Sequence, residues 1–154
     1  MTGTDIVRRA RLRISDTSNS FTDIEMLDYV NDAIDFLNTF LIANKDPEFI
    51  VSFNTNDGMP VPLDFHAFAG VWPITVENGM FRLKVASPPT QKLAYYAVRS
   101  HISALTDAVR FKDIYQSALS QLTAIYAANR NGANLAQDKL LFDDVMASIK
   151  SARA

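Results

Sequence analysis

The residues of this chain whose type and spacing could do chemistry lie close to its N-terminus. Arg8, Arg9, Arg11 and Arg13 fall within a short stretch of a sequence whose formal net charge is -2. On a helix, Arg9 and Arg13 would share one face, and Arg8 and Arg11 would share the neighbouring one. Because guanidinium groups bind carboxylates and phosphates through paired hydrogen bonds, the cluster predicts contact with an acidic partner surface or the DNA backbone. The simpler alternative is a solvated helix face.

The other reactive residue types form no recognisable catalytic or metal-binding pattern. The two histidines, His66 and His101, have no second ligand three or four residues away, and the sequence contains no HExxH, GxSxG, GxGxxG or GxxxxGK[ST] motif. Asp143 and Asp144 are adjacent, and adjacent helical side chains point about 100 degrees apart, so they do not face each other as an acid–base pair would. We therefore expect no catalytic, cofactor-binding or metal site, and no enzymatic activity.

The composition indicates an ordinary folded domain. The chain has 154 residues, of which 48% are hydrophobic and 21% charged, enough to bury a core. The sequence contains no cysteine, which excludes disulfides, cysteine–zinc sites and thiol catalysis. No segment approaches the roughly 20 apolar residues that span a bilayer, and the first ten residues lack the apolar stretch of a signal peptide. We expect residues 1–154 to form one domain that does not enter a membrane.

Residues 4–44 are expected to form two helices that carry the arginines and hold them in place. The first should run from about Thr4, as its N-cap, to Ile14. The second should begin at a capping box, in which the Thr22 hydroxyl and the Glu25 carboxylate each bond the other residue's backbone N–H. Its apolar residues then recur every three or four positions, which is typical of an amphipathic helix with one buried face.

Residues 109–151 are expected to be helical as well. The Asn131-Gly132 pair should end one helix, because glycine adopts the left-handed conformation of a helix C-terminus. Asn134 should then cap a final helix. Its predicted buried face comprises Leu135, Leu141 or Phe142, Val145 and Ile149.

The middle of the chain, residues 48–100, has the composition of strands and turns. The segment from Phe49 to Phe53 is β-branched and aromatic, and Asn78-Gly79 predicts a tight hairpin. A further strand is expected within residues 91–99. The aromatic residues here have mostly apolar neighbours, which favours a core role for Phe65, Phe68, Trp72, Tyr95 and Tyr96. The predicted fold is α+β but mainly α: a helical bundle with an inserted small antiparallel β-sheet or hairpin region.

Several short motifs follow one another along the chain in a particular order. The arginine-containing helix ends in Ile14-Ser15-Asp16, and Phe21-Thr22-Asp23 leads into a helix with Leu27, Tyr29, Asn31 and Ala33. Then come Pro60-Val61-Pro62-Leu63-Asp64-Phe65, the pair Tyr95-Tyr96 without a following proline, and the series Phe111, Tyr115, Ala118 and Leu119. In this order the motifs resemble those of head–tail adaptor proteins from short-tailed bacteriophages, over nearly the whole chain.

The resemblance implies a structural protein of the virion at the head–tail junction, assembled in the host bacterial cytoplasm. Such proteins form a ring of about twelve copies beneath the portal, extend the DNA channel and offer a docking surface to the tail. The implied partners are the portal protein, a tail nozzle or hub protein, other copies of the chain, and DNA that passes through without sequence-specific binding. No cofactor and no membrane are implied. By analogy, Leu141, Phe142, Val145 and Ile149 would grip the portal, and the hairpins from Asn56 to Val85 would meet the tail.

Two other functions remain open from the residues alone. A small DNA-binding or regulatory phage protein would use the helix from Arg8 to Arg13, and its affinity for duplex DNA would depend strongly on salt. An enzyme that degrades the cell wall would need paired carboxylates, and the sequence offers no pair that we can nominate.

Overall fold

Helices lie towards both ends of the described chain, and all of its strands lie between them. The computed structural model describes residues 1–86, 88–130 and 135–153, with the backbone alone for residues 135–139, 141, 152 and 153. Its helices are α1 (Gly3–Arg13), α2 (Asp23–Ala43), α3 (Gln116–Asn129) and α4 (Leu135–Arg153). Its strands are β1 (Ile50–Asn56), β2 (Phe65–Phe68), β3 (Ile74–Glu77), β4 (Met80–Leu83) and β5 (Thr90–Ala97). Short 3-10 turns cover Pro47–Phe49 and Asp113–Tyr115.

The predicted helical bundle with a small inserted sheet is wrong. The fold is α+β, with 45% of residues in helices and 21% in strands of two small antiparallel sheets, a mixed fold rather than a bundle. The chain divides into two compact units, which we call the α unit (Met1–Leu37 with Ser100–Ala154) and the β unit (Asn38–Arg99). The strands enclose a hydrophobic core of their own. Its aromatic residues, and the turns that bring them together, all lie within the β unit.

The β unit contains both sheets. In one sheet β5 lies between β1 and β2, with both neighbours antiparallel to it, and β3 and β4 form the second sheet. The turn between β3 and β4 is the predicted Asn78-Gly79 pair, with φ angles of 51° and 73°. Those positive values are the conformation that a tight hairpin needs and that asparagine and glycine tolerate best. The predicted hairpin turn and the strand within residues 91–99 are therefore confirmed.

Aromatic side chains form the core of the β unit. Phe81 on β4 is fully buried, and its ring centroid lies 5.6 Å from that of Phe65 and 5.8 Å from that of Phe53. Tyr95 is buried beside them, and its hydroxyl donates a hydrogen bond to Asp64 at 3.1 Å. Edge-to-face and tilted ring pairs at these distances add to the hydrophobic stabilisation. The predicted core role of Phe65 and Tyr95 is confirmed.

In the α unit, α1 begins two residues earlier than expected. Its N-cap is Thr2 and not Thr4: the Thr2 hydroxyl accepts from the Asp5 N–H at 3.3 Å, and the Asp5 carboxylate accepts from the Thr2 N–H at 2.8 Å. Thr4 is already inside the helix, where its N–H donates to the Leu105 carbonyl at 2.7 Å and its hydroxyl donates to the same oxygen. The cap is therefore the local capping box of Thr2 and Asp5 rather than Thr4.

The predicted start of α2 is confirmed. The Thr22 hydroxyl accepts from the Glu25 N–H at 3.2 Å, and the Glu25 carboxylate accepts from the Thr22 N–H at 2.8 Å. Two donors that the first turn of a helix leaves unpaired are satisfied by this exchange.

The face that α4 buries is confirmed where the side chains are described. Val145 and Ile149 are each 1% exposed. Phe142 is half-buried, with its ring centroid 5.5 Å from that of Phe36 and 6.2 Å from that of Tyr126. The Asn131-Gly132 break, the Asn134 cap, and the side chains of Leu135 and Leu141 lie outside the described residues.

Candidate interaction surfaces

The structure separates Arg11 from the other three arginines of α1. The Arg11 guanidinium donates to Asp16 at 2.8 Å, to Asn19 at 3.0 Å and to Asp23 at 2.9 Å, and its side chain is only 12% exposed. These acceptors lie in the turn between α1 and α2 and at the start of α2. The role of Arg11 is therefore to hold the turn, and it has little surface left for an external partner.

Asp16 organises the same turn from the other side of the ion pair. It is buried, and its carboxylate accepts hydrogen bonds from the backbone N–H and the hydroxyl of Ser20, each at 2.7 Å. Ser15 and Asn19 adopt positive φ angles of 55° and 50°, which non-glycine residues rarely do. The aspartate at the end of the Ile14-Ser15-Asp16 motif thus fixes a strained polar turn.

We expect the stability of the α unit to fall in acid, with Asp16 contributing. Burial alone would raise the pKa of the Asp16 carboxyl, but hydrogen bonds from Ser20 and Phe21 and the charge of Arg11 outweigh it and hold that pKa below its ordinary value of 3.8. Hydrogen bonds from Thr2 and Thr22 likewise lower the pKa values of Asp5 and Glu25.

The sign of the pH effect follows from these directions. As the pH falls through the ordinary values of 3.8 and 4.5, the unfolded chain takes up protons first, and the stability is lost as the pH passes down through the lower folded-state values. The thermal midpoint should therefore drop between pH 7 and about pH 3. The variant Asp16→Asn should have a lower midpoint at pH 7 and a smaller acid-induced drop. An equal drop in the midpoints of wild type and variant would show that Asp16 does not contribute to the acid sensitivity.

The remaining arginines form an exposed patch on α1. Arg8, Arg9 and Arg13 are exposed, and Leu12 beside them is 70% exposed. Arg13 donates one long hydrogen bond to the Ser117 hydroxyl, at 3.4 Å. Neither Arg8 nor Arg9 has an ion pair with any residue that the structure describes. We call these four residues the arginine face; it retains three of the four arginines that the sequence predicted as a contact site.

The motif residues that carry the resemblance to adaptors mostly hold the fold together. The Asn31 side chain forms two hydrogen bonds with the backbone of Ile102: its amide donates to the carbonyl at 3.1 Å, and its oxygen accepts from the N–H at 3.0 Å. In the β unit, Asn38 forms the same pair of bonds with the backbone of Arg99, both at 2.9 Å. Both pairs hold backbone that lies outside the strands, and Asn38 is a residue whose role the sequence did not reveal.

Two apolar side chains at loop tips of the β unit are fully exposed, and the sequence analysis missed both. Leu63 has a relative exposure of 106% and Val71 one of 101%, so neither contributes to the core. Leu63 follows Pro62 before β2, and Val71 follows Gly70 after it. An apolar residue directly after a turn-forming proline or glycine was the available signal, because loops that only connect strands usually carry polar side chains there.

The residues that the resemblance placed against the portal are only partly accessible. Val145 and Ile149 are buried, and the Phe142 ring packs close to the rings of Phe36 and Tyr126. Leu140 on the same helix is 68% exposed. An outward contact through α4 would therefore use Leu140 rather than the buried pair.

The histidines and acidic residues form no metal-binding group in the part of the chain that is described. His101 pairs with Asp35, with 2.7 Å between its Nε2 and a carboxylate oxygen, and His66 is exposed on β2. Among the described residues, none of the helices combines the length and apolar character needed to cross a bilayer.

Comparison with known proteins returned neither a matching protein-family model nor a matching curated protein. The resemblance to head–tail adaptors rests on the sequence motifs named above.

Proposed function

We propose that this chain is a head–tail adaptor of a tailed bacteriophage. In this function the protein is a structural part of the virion that forms a ring beneath the portal, extends the DNA channel and provides the docking surface for the tail. Its partners are the portal protein, a tail nozzle or hub protein and further copies of itself. It needs no cofactor and performs no catalysis.

The observation that supports the proposal best is that the separate motifs make specific contacts within the fold. Asp64 of the proline-containing motif accepts from the Tyr95 hydroxyl of the tyrosine pair. Asn31 of the α2 motif holds the backbone of Ile102, and Asp16 of the first motif fixes the turn before α2. The hydrogen bond between Asp64 and Tyr95 thus joins two of the motifs directly, and Asn31 and Asp16 each have a structural role within the fold.

The exposed apolar side chains are a second support. Single exposed apolar residues are common, but fully exposed ones at two loop tips of a small sheet are suited to burial in a protein–protein contact. Leu63 and Val71 lie within the segment from Asn56 to Val85 that the resemblance assigns to the tail. By contrast, the engagement of Arg11 in ion pairs weakens the alternative of a DNA-binding helix, because it removes one of four expected phosphate contacts.

Native mass spectrometry of the chain, alone and mixed with the portal ring from the same genome, tests the proposal. We expect a saturable number of copies, about twelve for a ring matched to the portal, to bind that portal. A portal ring from an unrelated phage is the control and should bind none. A monomer that ignores its own portal would contradict the proposal, and strongly salt-dependent binding to free duplex DNA would then favour the DNA-binding alternative.

A further inference from the structure

An acidic face on α2 matches the arginine face on α1 in charge and spacing. Asp28, Asp32 and Asp35 are exposed at helical spacings of four and three, so they form one stripe. Ile24, one turn before them, is 74% exposed. Asp35 pairs with His101, whereas Asp28 and Asp32 have no ion pair with any described residue. We call these four residues of α2 the acidic face.

The electrostatic effect of this face is visible on a neighbouring side chain. The pKa of the Tyr126 hydroxyl is raised, first by burial and then by the negative charges of Asp32 and Asp35. Asp32 and Asp35 therefore place negative charge close to Tyr126 in the α unit.

We propose that the arginine face of one copy docks against the acidic face of a second copy. Only the closure of the copies into a ring rests on the proposed function. The contact between two copies requires no portal. Because the two faces are different surfaces, the contact is heterologous, and every copy offers one face to each of two neighbours. Repeating such a contact closes a ring when the rotation between copies allows it.

The two faces fit each other in spacing. Arg9 and Arg13 are four residues apart, as are Asp28 and Asp32, and four helical residues rise about 6 Å. Two guanidinium groups can therefore meet two carboxylates in register, the geometry in which arginine forms paired hydrogen bonds. Leu12 and Ile24 supply an exposed apolar side chain on each side of the contact.

A second copy suits the arginine face better than DNA does. A phosphate backbone would satisfy the guanidinium groups, but it offers no apolar surface to Leu12 and repels the acidic face of the same α unit. A second copy covers Leu12 and neutralises both faces at once. Charged contacts of this kind also set the register and suppress wrong pairings.

Charge reversal on each face, followed by mixing, tests the inference. One variant carries Arg8→Glu, Arg9→Glu and Arg13→Glu, and the other carries Asp28→Lys and Asp32→Lys. Each variant alone sets like charges against each other, so its self-association at low salt should weaken at least about tenfold. An equimolar mixture should recover to within about threefold of wild type, because each variant then meets the opposite charge on the other. Association is measured by sedimentation velocity without the portal and by native mass spectrometry on the portal ring.

Controls separate this contact from general effects of charge and folding. The variant Asp143→Lys with Asp144→Lys makes the same change in charge as Asp28→Lys with Asp32→Lys, but at exposed positions of α4. Its self-association should stay at the wild-type level. Thermal midpoints of all variants should remain close to wild type, since every substituted side chain is exposed. Copies that associate and respond to mixing as described, but ignore the portal, would leave this inference standing and contradict the proposed function. Failure of the mixture to recover, or a wild-type chain that never self-associates with or without the portal, would overturn the inference.

Discussion

Replacement of Phe81 by alanine should lower the free energy of unfolding by about 3–5 kcal/mol, the cost of removing a large aromatic side chain from a core. Phe81 is fully buried, and its ring centroid lies within 6.0 Å of those of Phe53, Phe65 and Phe68. The loss therefore removes three ring contacts and leaves a cavity in the smaller of the two units. Small domains are stable by only about 5–15 kcal/mol in total, so we expect a large fall in the urea midpoint.

The single tryptophan makes this measurement specific to the β unit. Trp72 packs against the β core, and its indole N–H donates to the Ala69 carbonyl at 3.0 Å. Urea unfolding followed by tryptophan fluorescence therefore reports on the β unit. The matched control is Met80→Ala, a neighbouring position on β4 whose side chain is 40% exposed, and it should move the midpoint far less. A Phe81→Ala midpoint equal to that of the control would contradict the packing described for this core.

Loss of tail docking is the second large effect, and it follows from the proposed function. The double variant Leu63→Asp with Val71→Asp should bind the tail protein at least about 100-fold more weakly, because full burial of two such side chains contributes roughly 3–6 kcal/mol. The thermal midpoint should hardly change, since both side chains are fully exposed in the free chain. Binding is measured by titrating the tail protein of the same genome against portal-bound adaptor.

The control for this experiment adds the same charge elsewhere on the β unit. Ser52→Asp with Asn54→Asp places two carboxylates at exposed positions of β1, and the variant should bind the tail as wild type does. If the Leu63 and Val71 variant also binds like wild type, the tail contact lies elsewhere. A marked fall in its thermal midpoint would instead assign the two side chains a role in the fold.

Local signals in the sequence predicted local structure well. The capping box of Thr22 and Glu25 and the Asn78-Gly79 hairpin turn each depend on residues within a few positions of one another, and the structure contains both. The prediction of Thr4 as an N-cap was wrong because Thr2 and Asp5 form a capping box two residues earlier, and Thr4 instead donates to the distant Leu105 carbonyl. The predicted helical bundle was wrong because helical periodicity shows that one face of a helix is buried but does not show which elements cover it.

The candidate surfaces were predictable only in part. Sequence spacing identified four arginines but could not distinguish Arg11, because its acceptors Asp16 and Asp23 reach it only through a turn of defined geometry. Asp28 and Asp32 lie on the exposed side of α2, and only the structure shows that no described cation pairs with them. The exposure of Leu63 likewise depends on a loop conformation that composition does not specify.

The division of the chain into a continuous and a discontinuous unit has a consequence for synthesis on the ribosome. All residues of the β unit, Asn38–Arg99, are consecutive, so this unit can fold as soon as they have emerged. Helix α1 cannot complete its contacts then, because Gly3 and Thr4 donate to the carbonyls of Asp107 and Leu105, and α1 packs on α3. The growing chain therefore holds the apolar side chains of Ile6 and Val7 uncovered while more than a hundred residues are added, and it is at this stage that α1 is most exposed to chaperones and to aggregation.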